Sequence, residues 1–139
     1  MRRLALVLLA AALAGCGGDD SASPEDVVRA WSRALNAGDN GAAADLFALG
    51  ARIEQSGLEL RVRTRADALA WNRGLPCSGQ IVELQIMGDA VTATFLLGNR
   101  RTSPCDAPGG HVTAVFRVRE GKIVLFRQLA GEPAPLDPV

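Results

Sequence analysis

Two periods of hydrophobicity follow one another along this chain, and they predict helices first and strands afterwards. From residue 24 to residue 38 the apolar positions recur every three or four residues, as on one face of a helix. That face comprises Val27, Trp31, Ala34 and Leu35. Ser23 is a typical N-cap, Pro24 suits the first turn and Gly38 is a typical C-terminal stop. The pattern predicts a first helix whose apolar face is buried.

A second, shorter helix is expected directly after the first. Asp39 can accept hydrogen bonds from the free N–H groups of a helix start, and the apolar positions that follow keep helical spacing. They are Ala42, Ala43, Leu46 and Phe47. Gly50 is the expected end of this helix, so the segment from Leu46 to Gly50 is assigned to helical structure.

A strand and a third helix are expected next. Apolar residues at positions 58, 60 and 62 alternate with charged ones, which is typical of a strand with one solvent-facing side. Thr64, followed three residues later by Asp67, predicts a capped helix start. This helix is expected to run to residue 74, because Pro76 cannot continue it.

From residue 79 onward the period is two, and Gly88-Asp89 predicts a hairpin. A two-residue loop there gives the apolar pairs Ile86 with Val91, Leu84 with Ala93, and Val82 with Phe95. The other face then carries the polar pairs Glu83 with Thr94 and Gln85 with Thr92. Because this register separates apolar from polar side chains, the first face is expected to look inward.

Glu120-Gly121 predicts a second hairpin. Its loop gives the pairs Val118 with Ile123, Phe116 with Leu125, Ala114 with Arg127, and Val112 with Leu129. Arg127 is then the one charged residue on an apolar inward face. The opposite face, around Val115, Val124 and Phe126, is mixed, which favours partial cover by a second copy of the chain or by another protein.

The N-terminus has the pattern of an export signal. Arg2 and Arg3 precede an apolar run over residues 4–13, which is shorter than the about 20 residues that a membrane span needs. The next segment, Leu13-Ala14-Gly15-Cys16, resembles the lipobox of bacterial lipoproteins. We therefore expect cleavage before Cys16, acyl chains such as palmitate on that cysteine, and attachment to the extracytoplasmic face of the cell membrane. An ordinary secretory signal with a chance cysteine is the alternative.

The other two cysteines, Cys77 and Cys105, form an even pair once Cys16 carries lipid. They lie on either side of the first hairpin, and Cys105 lies in a long loop over residues 99–110 that is rich in proline and glycine. An oxidising compartment favours a disulfide between them. A redox pair is the alternative, but the wide spacing is unlike a C-x-x-C motif.

Length and charge limit the organisation of the chain. Its 139 residues suffice for one folded domain. We divide it into a signal peptide (1–15), a lipidated tether (16–23), one domain (24–130) and a flexible proline-rich tail (131–139). Loss of the signal removes two of 15 basic residues and none of 15 acidic ones, which leaves a net charge of about −2. Nothing here favours a nucleic-acid partner.

The order of the predicted elements resembles the nuclear transport factor 2-like superfamily, which includes SnoaL-like polyketide cyclases and ketosteroid isomerases. The resemblance covers about residues 24–129 and rests on element order and on Pro24–Trp31, Asn36–Asp39 and Gly121–Ile123, none of which is a catalytic signature. It implies an α+β fold in which a curved antiparallel sheet wraps the N-terminal helices into a cystatin-like cone with a pocket at its open end. Members include enzymes, binding domains and dimerisation modules, so the fold does not fix the function.

Catalytic chemistry has few candidates in this sequence. Enzymes of the superfamily place a carboxylate or histidine base inside the cone, often with a tyrosine or a protonated acid as donor. This chain has no tyrosine and one histidine, His111, which is expected at an exposed strand start. Glu83 is expected outside, which leaves Asp45 as the nearest helix-borne carboxylate. We predict no catalytic residue and no cofactor, and one histidine without clustered acids does not make a metal site.

Arg127 points most directly to a ligand. A guanidinium on an apolar face must find an acid, reach solvent or line a cavity. If it lines a cavity, the expected ligand-binding set is Arg127, Trp31, Phe95 and Phe116, and the expected ligand is a small apolar or anionic molecule. Trp71 is expected at the pocket rim or an interface, and Arg100 with Arg101 is expected to form a solvated basic edge.

These features favour a membrane-anchored extracytoplasmic module that binds a small ligand or a protein without catalysis. Two alternatives stay open. One is a small isomerase, cyclase or dehydratase-type enzyme of the same superfamily, with a helix carboxylate and His111 as acid and base. The other is a dimerising scaffold for an envelope protein, which would use the mixed face around Val115, Val124 and Phe126.

Overall fold

A computed structural model describes residues 21–131. The elements along the chain are α1 (Pro24–Asn36), α2 (Asn40–Asp45), β1 (Phe47–Gln55), β2 (Leu58–Arg61), α3 (Arg65–Gly74), β3 (Ser78–Met87), β4 (Ala90–Gly98), β5 (His111–Arg119) and β6 (Lys122–Gln128). The predicted signal peptide, Cys16 and nearly all of the proline-rich tail lie outside this range. Within it, none of the helices has the length and hydropathy needed to cross a membrane.

The strands form one curved sheet in the order β2-β1-β6-β5-β4-β3. Neighbouring strands are antiparallel except β1 and β6, which are parallel. The sheet packs against α1, whose Val27, Val28 and Trp31 are buried. The predicted α+β class, with helices followed by a curved and mostly antiparallel sheet, is confirmed.

The three predicted helix starts are confirmed. Ser23, Asp39 and Thr64 are the N-caps of α1, α2 and α3, and each side chain accepts a hydrogen bond from a backbone N–H of its helix. At Thr64 the bond is reciprocated, because the Asp67 carboxylate accepts the backbone N–H of Thr64 at 2.9 Å. The pKa of Asp67 is lowered, since its charged form accepts the backbone N–H groups of Thr64 and Arg63.

The expected helix through Phe47 and Gly50 is wrong over its second half. α2 ends at Asp45, and the strand β1 begins at Phe47. Phe47 pairs with Ile123 of β6, and the Ile123 N–H donates to the Leu46 carbonyl at 2.8 Å. Pairing with a strand that lies far along the chain overrides the local helical spacing.

The strand predicted around residues 58–62 exists, but its predicted buried face does not. β2 has four residues and lies at the edge of the sheet, and all four are exposed. Leu58 is 75% exposed and Leu60 is 39% exposed, whereas Val62, which follows the strand, is buried. An edge strand this short turns neither face fully to the core.

The first hairpin follows the predicted register as far as Glu83. Ile86 pairs with Val91, Leu84 with Ala93, Gln85 with Thr92, and Glu83 with Thr94. A bulge then shifts the register, so that Ile81 rather than Val82 pairs with Phe95. The extra residue on β3 leaves Val82 outside the core at 52% exposed, while Phe95 stays buried. Ile86, which was expected inward, is 51% exposed near the turn, so that expectation is wrong.

The second hairpin contains a bulge with larger consequences. The pair Val118 with Ile123 is confirmed, but the register shifts between Arg117 and Val118, so that Phe116 pairs with Phe126, Val115 with Arg127, and Ala114 with Gln128. A shift of one residue exchanges the two faces of a strand. Phe126 is therefore buried and Arg127 exposed, the reverse of the prediction.

The predicted disulfide is present. Cys77 and Cys105 are bonded, and each is 8% exposed. The bond fastens the loop of residues 99–110 to the segment that leads into β3. The predicted pinning of this loop is confirmed, and the loop becomes part of the wall of the cavity described below.

Arg100 is buried at 7% exposed, so its assignment to a solvated basic edge is wrong. Its Nη1 donates to the carbonyls of Asn72 at 2.6 Å and Leu75 at 2.9 Å, and its Nη2 donates to Oδ1 of Asn40. Within residues 21–131 no carboxylate pairs with it, and burial lowers its pKa. The charge lies at the negative end of the α3 dipole, which favours a cation. Arg101 is exposed, as expected.

Reduction of the disulfide is expected to lower the free energy of unfolding by roughly 3 to 4 kcal/mol, because the bond closes a loop in the unfolded chain. The two cysteines are 28 positions apart. Urea unfolding with and without dithiothreitol measures the loss. The variant with both Cys77→Ala and Cys105→Ala should have the lower stability and no response to the reductant. A parent protein whose midpoint ignores the reductant would contradict this prediction.

Arg100→Ala should lower the free energy of unfolding by about 3 kcal/mol, because two buried carbonyls and the Asn40 side chain lose their donor. Arg101→Ala is the matched control, since the neighbouring guanidinium is exposed. Its effect should stay within about 0.5 kcal/mol. Urea unfolding of both variants gives the comparison, and equal losses would show that Arg100 has no special structural role.

Candidate functional site

A cavity of about 420 Å³ lies at one end of the curved sheet. Its walls come from α1, from the ends of β1, β4 and β6, from the starts of β3 and β5, and from the loop of residues 99–110. The apolar wall comprises Trp31, Leu35, Phe95, Leu97, Val112 and Phe126. A pocket inside the cone is what the resemblance implied.

Trp31 is the centre of the aromatic wall. Its ring centroid lies 5.9 Å from that of Phe95, 5.4 Å from that of Phe116 and 5.9 Å from that of Phe126. On another side Trp71 stacks against it, with centroids 6.2 Å apart and ring planes 17° apart. Contacts at these separations are favourable for aromatic pairs, and neighbours on α3, β4, β5 and β6 hold the ring in place.

A buried hydrogen bond fixes the orientation of Trp31. Its Nε1–H donates to Oδ1 of Asn72 at 2.8 Å, and Nδ2 of Asn72 donates to the Ala68 carbonyl at 2.8 Å. Asn72 is fully buried. With both side chains held in this way, the cavity has a rigid wall rather than an adaptable one.

Three side chains form an amide relay beside this wall: Trp71, Gln55 and Gln128. Nε1 of Trp71 donates to Oε1 of Gln55 at 3.0 Å, and Nε2 of Gln55 donates to Oε1 of Gln128 at 2.9 Å. An indole N–H can only donate, so it fixes which atom of each amide is oxygen. The relay therefore leaves the Gln128 NH₂ group as a donor, and Gln55 and Gln128 both line the cavity.

A close approach of two strands shapes the floor of the cavity. A Cβ atom on Gly79 would lie 2.9 Å from Cβ of Phe95, which is closer than side chains allow. The Gly79 carbonyl accepts from Oγ of Ser32 at 3.1 Å and from Nδ2 of Asn36 at 2.9 Å. The absence of a side chain at this position lets α1, β3 and Phe95 meet.

Asp106 is a cavity residue that no pattern in the sequence predicted. It lies in the loop of residues 99–110, is exposed, and has Oδ1 3.2 Å from Sγ of Cys77. That contact is not a hydrogen bond, because a disulfide sulfur carries no proton. Apart from the bonded Cys77, Asp106 is the one ionisable side chain that lines the cavity in the described range. Its position next to Cys105 was the available signal.

Arg127 lies outside this cavity, so its predicted place near the pocket floor is wrong. Its Nε donates to Oε2 of Glu54 at 2.5 Å, across the outer face of the sheet. The hydrogen bond from Arg127 lowers the pKa of Glu54 and raises the pKa of Arg127. Since no Arg, Lys or His side chain lines the cavity within residues 21–131, the cation expected to hold an anionic ligand is missing there.

The other predicted residues divide between wall, core and surface. Trp31 and Phe95 line the cavity, whereas Phe116 is fully buried behind it. Trp71 packs against Phe47 and Phe126 instead of forming the rim.

The candidate acid-base groups face solvent. Asp45 is exposed and pairs with Arg65, and the Arg65 hydrogen bond lowers the pKa of Asp45. His111 and Glu83 are exposed, as expected. Of the mixed outer face, Val115 and Val124 are half-buried, while Phe126 has moved to the interior. The predicted interface on that face therefore lacks its largest apolar side chain.

One group of metal-ligand residue types occurs in the described range, formed by Cys77, Cys105 and Asp106. The two sulfurs are bonded to each other and so are not thiolates, the form in which cysteine binds metals. A single exposed carboxylate remains, which does not make a metal site.

The comparisons with known proteins agree with this architecture. A family model described as a SnoaL-like domain matches residues 28–126. No curated protein matches the chain in sequence.

Three solved structures have the same fold. A proposed polyketide cyclase from Sinorhizobium meliloti is 20% identical, with a TM-score of 0.61 over 75% of this chain and 94% of that one. An uncharacterised cystatin-fold protein from Novosphingobium aromaticivorans is 17% identical, with a TM-score of 0.64 over 79% of this chain and 100% of that one. A hypothetical protein with a ketosteroid isomerase-like fold from Catenulispora acidiphila, in complex with trimethylamine, is 21% identical. Its TM-score is 0.61 over 78% of this chain and 87% of that one.

Identities this low establish a shared fold and carry no activity over to this chain. The family match is of a different kind, because residues 28–126 are most of the chain and contain α1 from Val28, the strands β1 to β5 and β6 as far as Phe126. The chain belongs to the family of SnoaL-like domains within the nuclear transport factor 2-like superfamily.

Proposed function

We propose that this chain is a lipid-anchored extracytoplasmic lipoprotein whose SnoaL-like domain binds a small, mostly apolar molecule and does not transform it. The anchor rests on the sequence of residues 1–16. The ligand-binding role rests on one observation, a cavity of about 420 Å³ with a rigid aromatic wall and one oriented amide donor. Sites of this size, mostly apolar with a few placed polar groups, are typical of small-molecule binding.

The amide relay supports a ligand with a hydrogen-bond acceptor. Because Trp71 fixes both glutamine amides, the Gln128 NH₂ group is available to a carbonyl, ether or hydroxyl oxygen. One neutral hydrogen bond contributes about 1 kcal/mol, which corresponds to roughly a five-fold gain in affinity. The relay thus supplies selectivity among molecules of the same shape, and the aromatic wall supplies most of the affinity.

The charges around the cavity favour neutral or cationic ligands over anions. Asp106 is the one charged side chain on its wall in the described range, and Arg127 pairs with Glu54 on the outer face. Aromatic rings also attract cations at their faces. The Catenulispora acidiphila protein of similar fold is in complex with trimethylamine, a small amine.

The residues around Asp106 do not favour catalysis, but Asp106 is the residue on which the rival function, an isomerase or cyclase, would depend. Asp106 is exposed, and the cavity wall in the described range has no histidine, lysine or tyrosine to act as a second proton-transfer group. In an enzyme of the isomerase or cyclase type, Asp106 would remove a proton next to a carbonyl held by Gln128. The Sinorhizobium meliloti protein of similar fold is described as a proposed polyketide cyclase, which is the reason to test this rival function.

Rigid cage compounds of matched shape test the binding proposal. The Cys16→Ser chain should bind 2-adamantanone about five-fold more tightly than adamantane, because the ketone accepts one neutral hydrogen bond from Gln128. In Gln128→Leu the two affinities should become equal through weaker binding of the ketone. Trp31 lines the cavity, so titration of tryptophan fluorescence reports the affinities.

Arg127→Gln is the matched control, because Arg127 is the neighbour of Gln128 on β6 and faces away from the cavity. It should leave both affinities unchanged. Failure of both compounds to bind the parent chain would contradict the ligand-binding proposal. An equal loss of ketone affinity in Arg127→Gln would contradict the assignment of the donor to Gln128.

Asp106→Asn separates charge selection from catalysis. In the parent chain adamantane-1-carboxylate should bind more weakly than 2-adamantanone, and Asp106→Asn should reduce this difference, because the repelling carboxylate is gone. In D₂O, NMR should detect no faster deuterium exchange at the α-carbons of cyclohexanone with the parent than with Asp106→Asn. Exchange that the parent accelerates and the variant does not would favour the enzyme instead.

A further inference from the structure

The chain enters the described domain beside the turn between β5 and β6. A Cβ atom on Gly121 would lie 3.7 Å from the backbone N of Ala22 and 3.8 Å from Cβ of Ser21. The segment that precedes Ser21 is therefore joined to the domain beside this turn. The position matters because Cys16, the proposed site of the lipid, is five residues before Ser21.

The turn between β3 and β4 lies at the same end of the sheet. The Val118 N–H donates to the Asp89 carbonyl at 2.9 Å. The Asp89 carboxylate lies 3.4 Å from guanidinium nitrogens of both Arg117 and Arg119. These contacts fasten the two turns together, and we name the surface formed by residues 86–89 and 117–122 the turn end.

The turn end combines exposed apolar side chains with basic ones. Met87 is 83% exposed and Ile86 is 51% exposed. Within the turn end, Arg117, Arg119 and Lys122 outnumber the acids Asp89 and Glu120. A bilayer surface fits both features, because its headgroups carry phosphates and the acyl boundary below them accepts apolar side chains.

The cavity lies at the opposite end of the same strands. Its walls use the starts of β3 and β5 and the ends of β4 and β6, whereas the turn end joins β3 to β4 and β5 to β6. A domain that rests on its turn end therefore holds the cavity on the side away from its support.

We propose that the turn end rests on the lipid bilayer, with Met87 and Ile86 at the boundary between headgroups and acyl chains, and that the cavity faces the aqueous compartment. The proposal rests on the anchor at Cys16 from the proposed function. The five residues from Cys16 to Ser21 span at most about 18 Å, which keeps the turn end close to the membrane. The ligand then enters from solution and not from the bilayer.

Methionine oxidation tests the orientation directly. The chain contains two methionines, Met1 and Met87, so Met87 is the single methionine once the signal is removed. Acylated protein, isolated from membranes and placed on phosphatidylglycerol-containing vesicles, is treated with hydrogen peroxide. After proteolysis, the mass of the peptide that contains Met87 measures the addition of one oxygen, so that Met1 in an uncleaved chain does not contribute. Met87 should oxidise at least about five-fold more slowly on vesicles than in the unlipidated Cys16→Ser chain in solution, because oxidation requires access to the sulfur.

The matched control moves the methionine to the cavity end. Leu129 directly follows β6 and is 40% exposed, so Leu129→Met combined with Met87→Leu places the reporter there. This variant should oxidise at equal rates on vesicles and in solution. The pair of reporters distinguishes local protection at the turn end from a general effect of the vesicles.

The outcomes separate this proposal from the ligand-binding one. Equal oxidation of Met87 on vesicles and in solution, or protection of the control position instead, overturns the orientation. Acylation absent from Cys16, or protein that fails to float with the vesicles, removes the anchor and overturns it as well. Failure of 2-adamantanone to bind overturns the proposed ligand site and leaves the oxidation result standing.

Discussion

The packing of Trp31 connects the parts of this domain. Its ring contacts aromatic side chains from three strands and from α3, and its N–H group is satisfied inside the core by Asn72. Asn72 in turn uses its backbone carbonyl to receive the buried Arg100. One indole ring thus links the first helix, the sheet, the third helix and the loop that follows β4. The same ring forms part of the cavity wall, so the site and the core share their rigidity.

The faces that β3 and β6 turn inward depend on two bulges, one at Val82 in β3 and one at Val124 in β6. The second one decides the chemistry of the cavity. It turns Phe126 and Gln128 inward and Arg127 outward, where Glu54 meets it. The interior therefore presents an amide donor where the simple two-residue alternation predicted a guanidinium. That exchange places a neutral amide on the cavity wall and a charged guanidinium on the outer face.

The sequence predicts the features of this fold that depend on neighbouring residues. The caps at Ser23, Asp39 and Thr64, the two tight turns and the disulfide each follow from local chemistry or from a count of cysteines. β1 was not predictable in the same way, because Phe47 pairs with Ile123, which lies far along the chain.

The pairing of β6 with β5 was also predicted wrongly, and the reason is physical. The four apolar residues from Ile123 to Phe126 contain no polar position that would fix which of them faces inward. The burial of Arg100 and the amide relay each need side chains from separate elements, so periodicity within one segment does not reveal them. Of the expected ligand-binding residues, Trp31 and Phe95 line the cavity because they lie on well-patterned segments. Asp106 lies in an irregular loop, where no period applies.

The size of the residue at position 79 limits the width of this cavity beside Phe95. Its Cα faces the Cβ of Phe95 so closely that even a methyl group would meet the phenylalanine at 2.9 Å. Phe95 is part of the wall, and a side chain at position 79 would have to displace its ring or the strand that carries it. The shape of the cavity at this point therefore depends on the absence of a Cβ atom at position 79. Alanine at this position would therefore change which molecules fit against Phe95.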